Sequence, residues 1–338
     1  MATFLRDFNA AVATYVAELE QLHASERVFR PTFWLQHGDF TLARDVFLAA
    51  AGSIGHEITK FSLVYSKTPS QDDAESICRA INTPCEQLLS ATKVALFCGA
   101  GPSLADDIVL GALRVMKSVQ ALGTTIATDD LARVPELTGR VWESCKAVAS
   151  TPKSNCIASK RSMLQCISVL NDTIKELKEF LSEQASGASE SLVDVEDEDE
   201  FAFDSSLSDH ERALFESGVK LLDMTVAILK RGVLTLKNLP IEDSQQELIA
   251  WTATLDRSYK AIQDAVVDVG AALYPPVDVE ELTAAVAAAE AKGVAGLECL
   301  LAQPAISETE LQALGKGRQA FDQQVRTVKT QLEDARAV

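Results

Sequence analysis

Ile157-Ala-Ser-Lys-Arg-Ser-Met-Leu-Gln-Cys-Ile-Ser-Val-Leu-Asn-Asp-Thr-Ile-Lys-Glu-Leu-Lys-Glu-Phe-Leu181 is the stretch that decides the fold class. Ile157, Leu164, Ile167, Leu170, Ile174, Leu177 and Leu181 recur at whole-turn steps, with charged residues between them. That spacing follows the turn of an α-helix and gathers the apolar side chains into one stripe. A stripe of this kind has to be buried against another helix.

Working outward, the same period returns on both sides. Towards the N-terminus it runs through Leu131, Val134, Val141, Cys145 and Val148, and before that through Ile108, Ala112, Val115, Val119 and Leu122. Earlier stripes are Ile77, Ile81, Leu88, Ala95 and Leu96; then Phe40, Phe47, Ile54, Ile58, Phe61 and Tyr65; then Phe4, Phe8, Val12, Tyr15, Leu19 and Leu22. Towards the C-terminus, one stripe (Leu214 to Leu236) ends before Pro240 and another (Leu248 to Leu273) ends at Pro275-Pro276. Two more are centred on Leu282 to Leu300 and on Leu311 to Leu332. Ten amphipathic helices are expected. Start signals agree: Ser70, Ser103, Ser208, Ser244 and Ser307 each precede Asp or Glu by three residues, the spacing with which a hydroxyl and a carboxylate cap a first turn. Gly123 stands where the fourth helix would need a left-handed end.

One stretch breaks the pattern. From Glu183 to Glu211 there are eleven acids and no Lys or Arg, in a chain whose net charge is −18. Its centre, Asp194-Val-Glu-Asp-Glu-Asp-Glu200, repels itself and is expected to stay solvated. The fold expected is therefore all-α: antiparallel helical bundles, with residues 1–185 as an N-terminal bundle, 186–207 as an acidic flexible linker and 208–338 as a C-terminal bundle. With 338 residues, 47% apolar and 24% charged, the chain suits two globular domains. Only 6% is aromatic and Gly and Pro are scarce, which argues against a strand-rich fold.

The same numbers narrow function. A surface this negative repels nucleic-acid phosphate and anionic lipid, so neither nucleic acid nor membrane is expected as a partner. The opening residues carry Asp7 and Glu18 and do not read as a signal peptide, and no long charge-free apolar window reads as a spanning helix. Seven cysteines without CxxC spacing are read as reduced thiols, and Cys78, Cys85, Cys145 and Cys166, on or beside apolar stripes, as buried structural ones.

No motif rises to chemistry. His56-Glu57 begins a zinc-protease pattern, but Lys60 stands where the second His belongs. Gly99-Ala-Gly101-Pro-Ser103 lacks the Walker spacing and is read as a turn between helices. Neither a catalytic residue, a metal ligand nor a cofactor is assigned. Trp142 is read first as a core anchor between helices, with a partner-binding hot spot as the alternative.

Five stretches, in this order, carry a resemblance: Phe33-Trp34; Glu57-Ile-Thr-Lys-Phe61 with Val64-Tyr65-Ser66 and Pro69; Val141-Trp142-Glu-Ser-Cys145; the acids Glu196 to Glu200; and Leu273-Tyr274-Pro275-Pro276. They resemble the Grap2 and cyclin-D-interacting protein family, also called cyclin-D-binding or maternal Id-like proteins. The resemblance implies a non-enzymatic, all-helical interaction protein of cytoplasm and nucleus. Its implied partners are D-type cyclins, adaptors and helix-loop-helix factors, and through them it would modulate the cell cycle and transcription. A basic helix able to enter the DNA groove is missing, since the most basic run, Lys153 to Arg161, is short and its surroundings are acidic. The alternative class is a vinculin- or catenin-like cytoskeletal scaffold. The regulatory candidates are Glu196, Asp197, Glu198, Asp199 and Glu200, with Ser191 and Ser206, which stand three residues before Asp194 and Asp209 in the spacing acidophilic kinases favour.

Overall fold

The computed structural model describes residues 2–24, 37–187, 207–239, 241–242 and 245–336. Among the described residues there are ten α-helices and no strand. They are α1 (Ala2–Ala24), α2 (His37–Tyr65), α3 (Gln71–Cys98), α4 (Pro102–Ala127), α5 (Val134–Val148), α6 (Asn155–Gly187), α7 (Asp209–Asn238), α8 (Gln246–Ala272), α9 (Val279–Leu301) and α10 (Glu308–Arg336). The all-α expectation is met helix for helix.

The chain forms two compact units, Met1–Ser159 with Glu242–Ala250, and Lys160–Ile241 with Trp251–Val338. In the first, α2 lies along α3 on one side and α5 on another, while α1 packs on α3 and α4. The expected stripes supply the core: Phe8, Phe47, Ile54, Ile58, Phe61, Ile81, Leu88, Ile108 and Val119 are all buried. Removing each such side chain from water contributes about 1.5–3 kcal/mol. The Phe61 ring sits 5.3 Å from Phe8 and 5.0 Å from Tyr65, a short aromatic stack inside the bundle.

In the second unit, α10 packs on α7 and α9. Phe180 stacks on Phe215 at 5.5 Å, and Tyr274 stands edge-on to Phe180 at 5.3 Å. Tyr259 is buried and its hydroxyl donates to the Leu229 carbonyl at 2.6 Å, tying α8 to α7. This contact needs Gly232: a Cβ there would lie 2.3 Å from the Tyr259 oxygen.

The division into units corrects the expected boundary at residue 185. From Lys160 onward α6 belongs to the second unit, because Met163, Ile167, Leu170, Ile174 and Leu177 are buried in one core with Leu214, Phe215 and Leu222 of α7. Of the stripe quoted at the start, Ile167, Leu170, Ile174 and Leu177 are buried as expected, whereas Ile157 and Leu164, nearest its beginning, are exposed. The acidic linker expected over 186–207 falls on residues that lie, but for its two ends, outside the described ones.

The helix ends show which capping signals were real. Ser70 accepts from the Asp73 N–H at 3.1 Å, and Ser208 and Glu211 close a full capping box. Ser307 accepts from the Glu310 N–H at 3.4 Å. Ser244 lies outside the described residues. Ser103 is not a cap, because Pro102 opens α4 after Gly101, two residues earlier than the motif required. Gly123 is not a helix end either. It is buried inside α4, where the Asn9 side-chain amide donates to its carbonyl at 3.0 Å. The helix ends four residues later at Ala127, and just past its cap Thr128 stands Asp129 (φ 60°), whose N–H reaches the Ile126 carbonyl while that of Asp130 reaches Thr125. Those paired bonds form the Schellman arrangement that the sequence had suggested for a glycine.

Candidate interaction surface

Two edges of α2 in the first unit carry the exposed apolar matter that the core leaves over. On the α5 edge, the Ser62 and Thr138 hydroxyls meet at 2.6 Å, and the Trp142 indole N–H donates to the Thr59 hydroxyl at 3.2 Å. Cys145 sits against Gly55 one turn further along, so α5 runs antiparallel to α2. Trp142 is 48% exposed, which corrects its first reading as a core anchor. Val141 and Cys145 occupy the inward face of α5, and position 142 is rotated away from them by one residue. Leu63, 66% exposed, stands one turn beyond Thr59, and the space where Gly139 would carry a Cβ is open. The result is an indole whose donor is already satisfied, presenting its apolar ring outward, with an exposed leucine one turn along α2 from the Thr59 acceptor. Such a face can bind an apolar or aromatic anchor of another protein.

The α3 edge is a groove of about 510 Å³. Leu42 and Val46 of α2 and Val94 of α3 line it, with Asp39 and Glu86 among its polar residues. These positions went unnoticed in the sequence because each lies off the buried stripe of its own helix. The available signal was a second apolar period beside the first, Leu42–Val46 on α2 and Val94–Phe97 on α3.

The interior offers thiols without reactivity. Cys78, Cys85, Cys98, Cys145, Cys156 and Cys166 are buried and Cys299 is half-buried. Burial pushes the Cys145 thiol up to about 12 and Cys85 higher still, so neither is a nucleophile near neutral pH. The Tyr65 hydroxyl lies 3.4 Å from the Cys78 sulfur. Glu57 is paired with Lys60 at 2.7 Å, so the zinc-like motif is an ion pair within one helix. The glycine turn between α3 and α4 is held by Asn155, whose amide donates to the Gly99 carbonyl at 3.0 Å and accepts from the Gly101 N–H at 2.6 Å. Gly99 adopts φ 147°, a conformation other residues rarely take. Asn155 is a residue the sequence did not single out. Among the described residues no group of three or more His, Cys, Asp or Glu could hold a metal, and no helix is long and apolar enough to cross a membrane.

Ser191, Glu196, Asp197, Glu198, Asp199, Glu200 and Ser206 lie outside the described residues, as does Phe33-Trp34. Two of the described family stretches meet in space. Glu57 to Phe61 and Val141 to Cys145 are the two sides of the Thr59–Trp142 contact.

Residues 47–183 match the family described as Grap2 and cyclin-D-interacting, N-terminal. The resemblance to that family is borne out. The chain is 25% identical over 259 residues to the Cyclin-D1-binding protein 1 homolog of Danio rerio, covering 71% of this chain and 72% of the relative. It is 22% identical over 240 residues to the homolog of Xenopus laevis, covering 66% and 68%. Both relatives are named for binding another protein, and the matched family region takes in most of α2 and α6 and all of α3, α4 and α5.

Proposed function

We propose that the chain is a non-enzymatic regulatory interaction protein that binds a D-type cyclin or helix-loop-helix factors, in cytoplasm and nucleus, and so modulates cell-cycle progression and transcription. The observation that carries this reading is Trp142, half exposed and bonded to Thr59 of α2 inside the region matched to the family. The names of the two relatives support the class of partner. The net charge of −18 supports action through proteins without direct contact with nucleic acid or membrane. The acids Glu196 to Glu200 tune access to the partner in this account, and phosphate on Ser191 or Ser206 deepens their negative field.

Titrating a purified D-type cyclin or helix-loop-helix factor onto the full chain tests the reading. Saturable binding is expected, weakened at least about tenfold by Trp142→Ala, the usual size of a hot-spot loss. Absence of saturable binding to either class would overturn it. For the acidic tract, a mass-spectrometric phosphosite map of the native protein should show modification at Ser191 or Ser206, and an unmodified tract across 186–210 counts against that part.

A further inference from the structure

We propose that the α2–α3 groove of the first unit docks an amphipathic helix of about three turns from a partner protein, apolar along one stripe and carrying Lys or Arg at both ends. The inference rests on the interaction-protein reading and names a second surface and the chemistry of its occupant. Helix-in-groove recognition needs exposed apolar anchors, a floor small enough for close approach and a rim that sets orientation. All three are present. Leu42, 63% exposed, and Val46 stand one turn apart on α2, facing Val94 on α3, with Phe97, 61% exposed, one turn beyond Val94. Ala43, Ser90 and Ala91 make a small-residue floor between them.

Length and charge define the occupant. Helices α2 and α3 run antiparallel, joined by the short segment 66–70, so the start of α2 faces the end of α3. Asp39 therefore lies at the Phe97 end of the groove, close enough to Cys98 for its charge to act on that thiol. Glu86 lies at the opposite end, beyond Val46. From Thr83 to Val94 the α3 wall rises about 16 Å, the length of a three-turn helix. Among the described residues no Lys or Arg lines the groove, so both of its ends attract cations. An acidic-ended helix would meet like charge at each end, and a purely apolar one would leave both carboxylates desolvated without a partner.

The test uses a panel of fluorescein-labelled fourteen-residue helical peptides with Leu or Ile at i, i+3 or i+4, and i+7. Half of the panel carries paired Lys or Arg at both ends and half carries paired Glu. Fluorescence anisotropy against the full chain should give basic-ended binders with Kd below about 100 μM, in the range of transient helix-in-groove contacts. Leu42→Glu or Val94→Glu should weaken them at least about tenfold while circular dichroism stays unchanged, since both positions are exposed. The double variant Asp39→Lys/Glu86→Lys should exchange preference towards the acidic-ended peptides. The proposal is overturned if no basic-ended peptide binds, if Leu42→Glu leaves binding intact, if acidic-ended peptides bind the unaltered chain equally well, or if Leu42→Glu abolishes a self-association seen by sedimentation. A cyclin that still binds the chain when no basic-ended peptide does would sink the groove and leave the interaction reading standing. Failure of both would sink both.

Discussion

The two units are nearly equal in length and equally helical, yet they dispose of their apolar residues differently. In the second, most of the described aromatic residues turn inward: Phe180 stacks on Phe215, Tyr259 bonds to a helix carbonyl, and Phe321 is buried beside Gly293. Its exposed large apolar side chains, Leu164, Val169, Leu234, Val267 and Tyr274, are spread over four separate stretches of chain. Among the described residues the first unit exposes ten, and seven of these (Leu42, Val46, Leu48, Leu63, Val94, Phe97 and Trp142) lie on the three adjacent helices α2, α3 and α5. Scattered exposed apolar residues are ordinary, but contiguous ones mark surfaces that meet another molecule. The difference teaches that one unit leaves only scattered apolar residues uncovered, while the other leaves them gathered along the two edges of α2. On this account the second unit supplies rigidity and the first supplies contact.

That contrast can be broken or sharpened by substitution. The largest effect is expected from Gly232→Ala, whose Cβ would sit 2.3 Å from the Tyr259 oxygen and 3.0 Å from a Leu300 methyl. Overpacking of this kind should cost about 3 kcal/mol, read as a shift of the urea midpoint, and Tyr259→Phe added to it should recover part of the loss. A smaller loss belongs to Asn155→Ala in the first unit. It strips both hydrogen bonds from the Gly99–Gly101 turn and should cost about 2 kcal/mol. If Asn155→Ala proved neutral, the glycine turn would be held by something else.

Alkali should act next. The Cys145 thiol is neutral in both states below pH 9, its unfolded value, so its full contribution is present there. Between pH 9 and about 12 the unfolded chain loses a proton that the folded chain keeps, and stability falls by about 1.4 kcal/mol per pH unit for each such thiol. Denaturant midpoints measured at pH 8, 9.5 and 10.5 check the sign; a rise with pH would contradict it. Thiol reagents sharpen the same picture, since half-buried Cys299 should react first and the six buried thiols only as the units open. Ser208→Ala, which removes the capping box of α7, should cost about 1 kcal/mol. The smallest stability change is expected from Trp142→Ala, under about 1 kcal/mol because the ring is half exposed, although its effect on partner binding is expected to be the largest of all.

What could be read from the sequence was whatever is decided within one or two turns. The ten helices followed from their apolar period, and Ser70, Ser208 and Ser307 announced true helix starts because capping is a contact across three residues. Ser103 and Gly123 misled because their local patterns were overruled: Pro102 opened α4 early, and Asn9 of α1 occupies the side of Gly123 that a cap would have left free. Trp142, Ile157 and Leu164 misled for a different reason. Periodicity shows that a helix has an apolar face but not which neighbour covers it or how wide that cover is. The boundary between units escaped for the same cause, since Leu170, Ile174 and Leu177 of α6 share their core with residues of α7 and α8, far along the chain. The Asn155 clamp and the α2–α3 groove join residues on different helices, far apart along the chain, and no local pattern encodes such a meeting.

The most direct test of the account is hydrogen–deuterium exchange on the full chain, alone and saturated with a bound D-type cyclin or helix-loop-helix factor. Slowed exchange is predicted over residues 37–65, 71–98 and 134–148, with α7, α9 and α10 unchanged. Slowing confined to α7, α9 and α10, with α2, α3 and α5 untouched, would contradict the assignment of contact to the first unit.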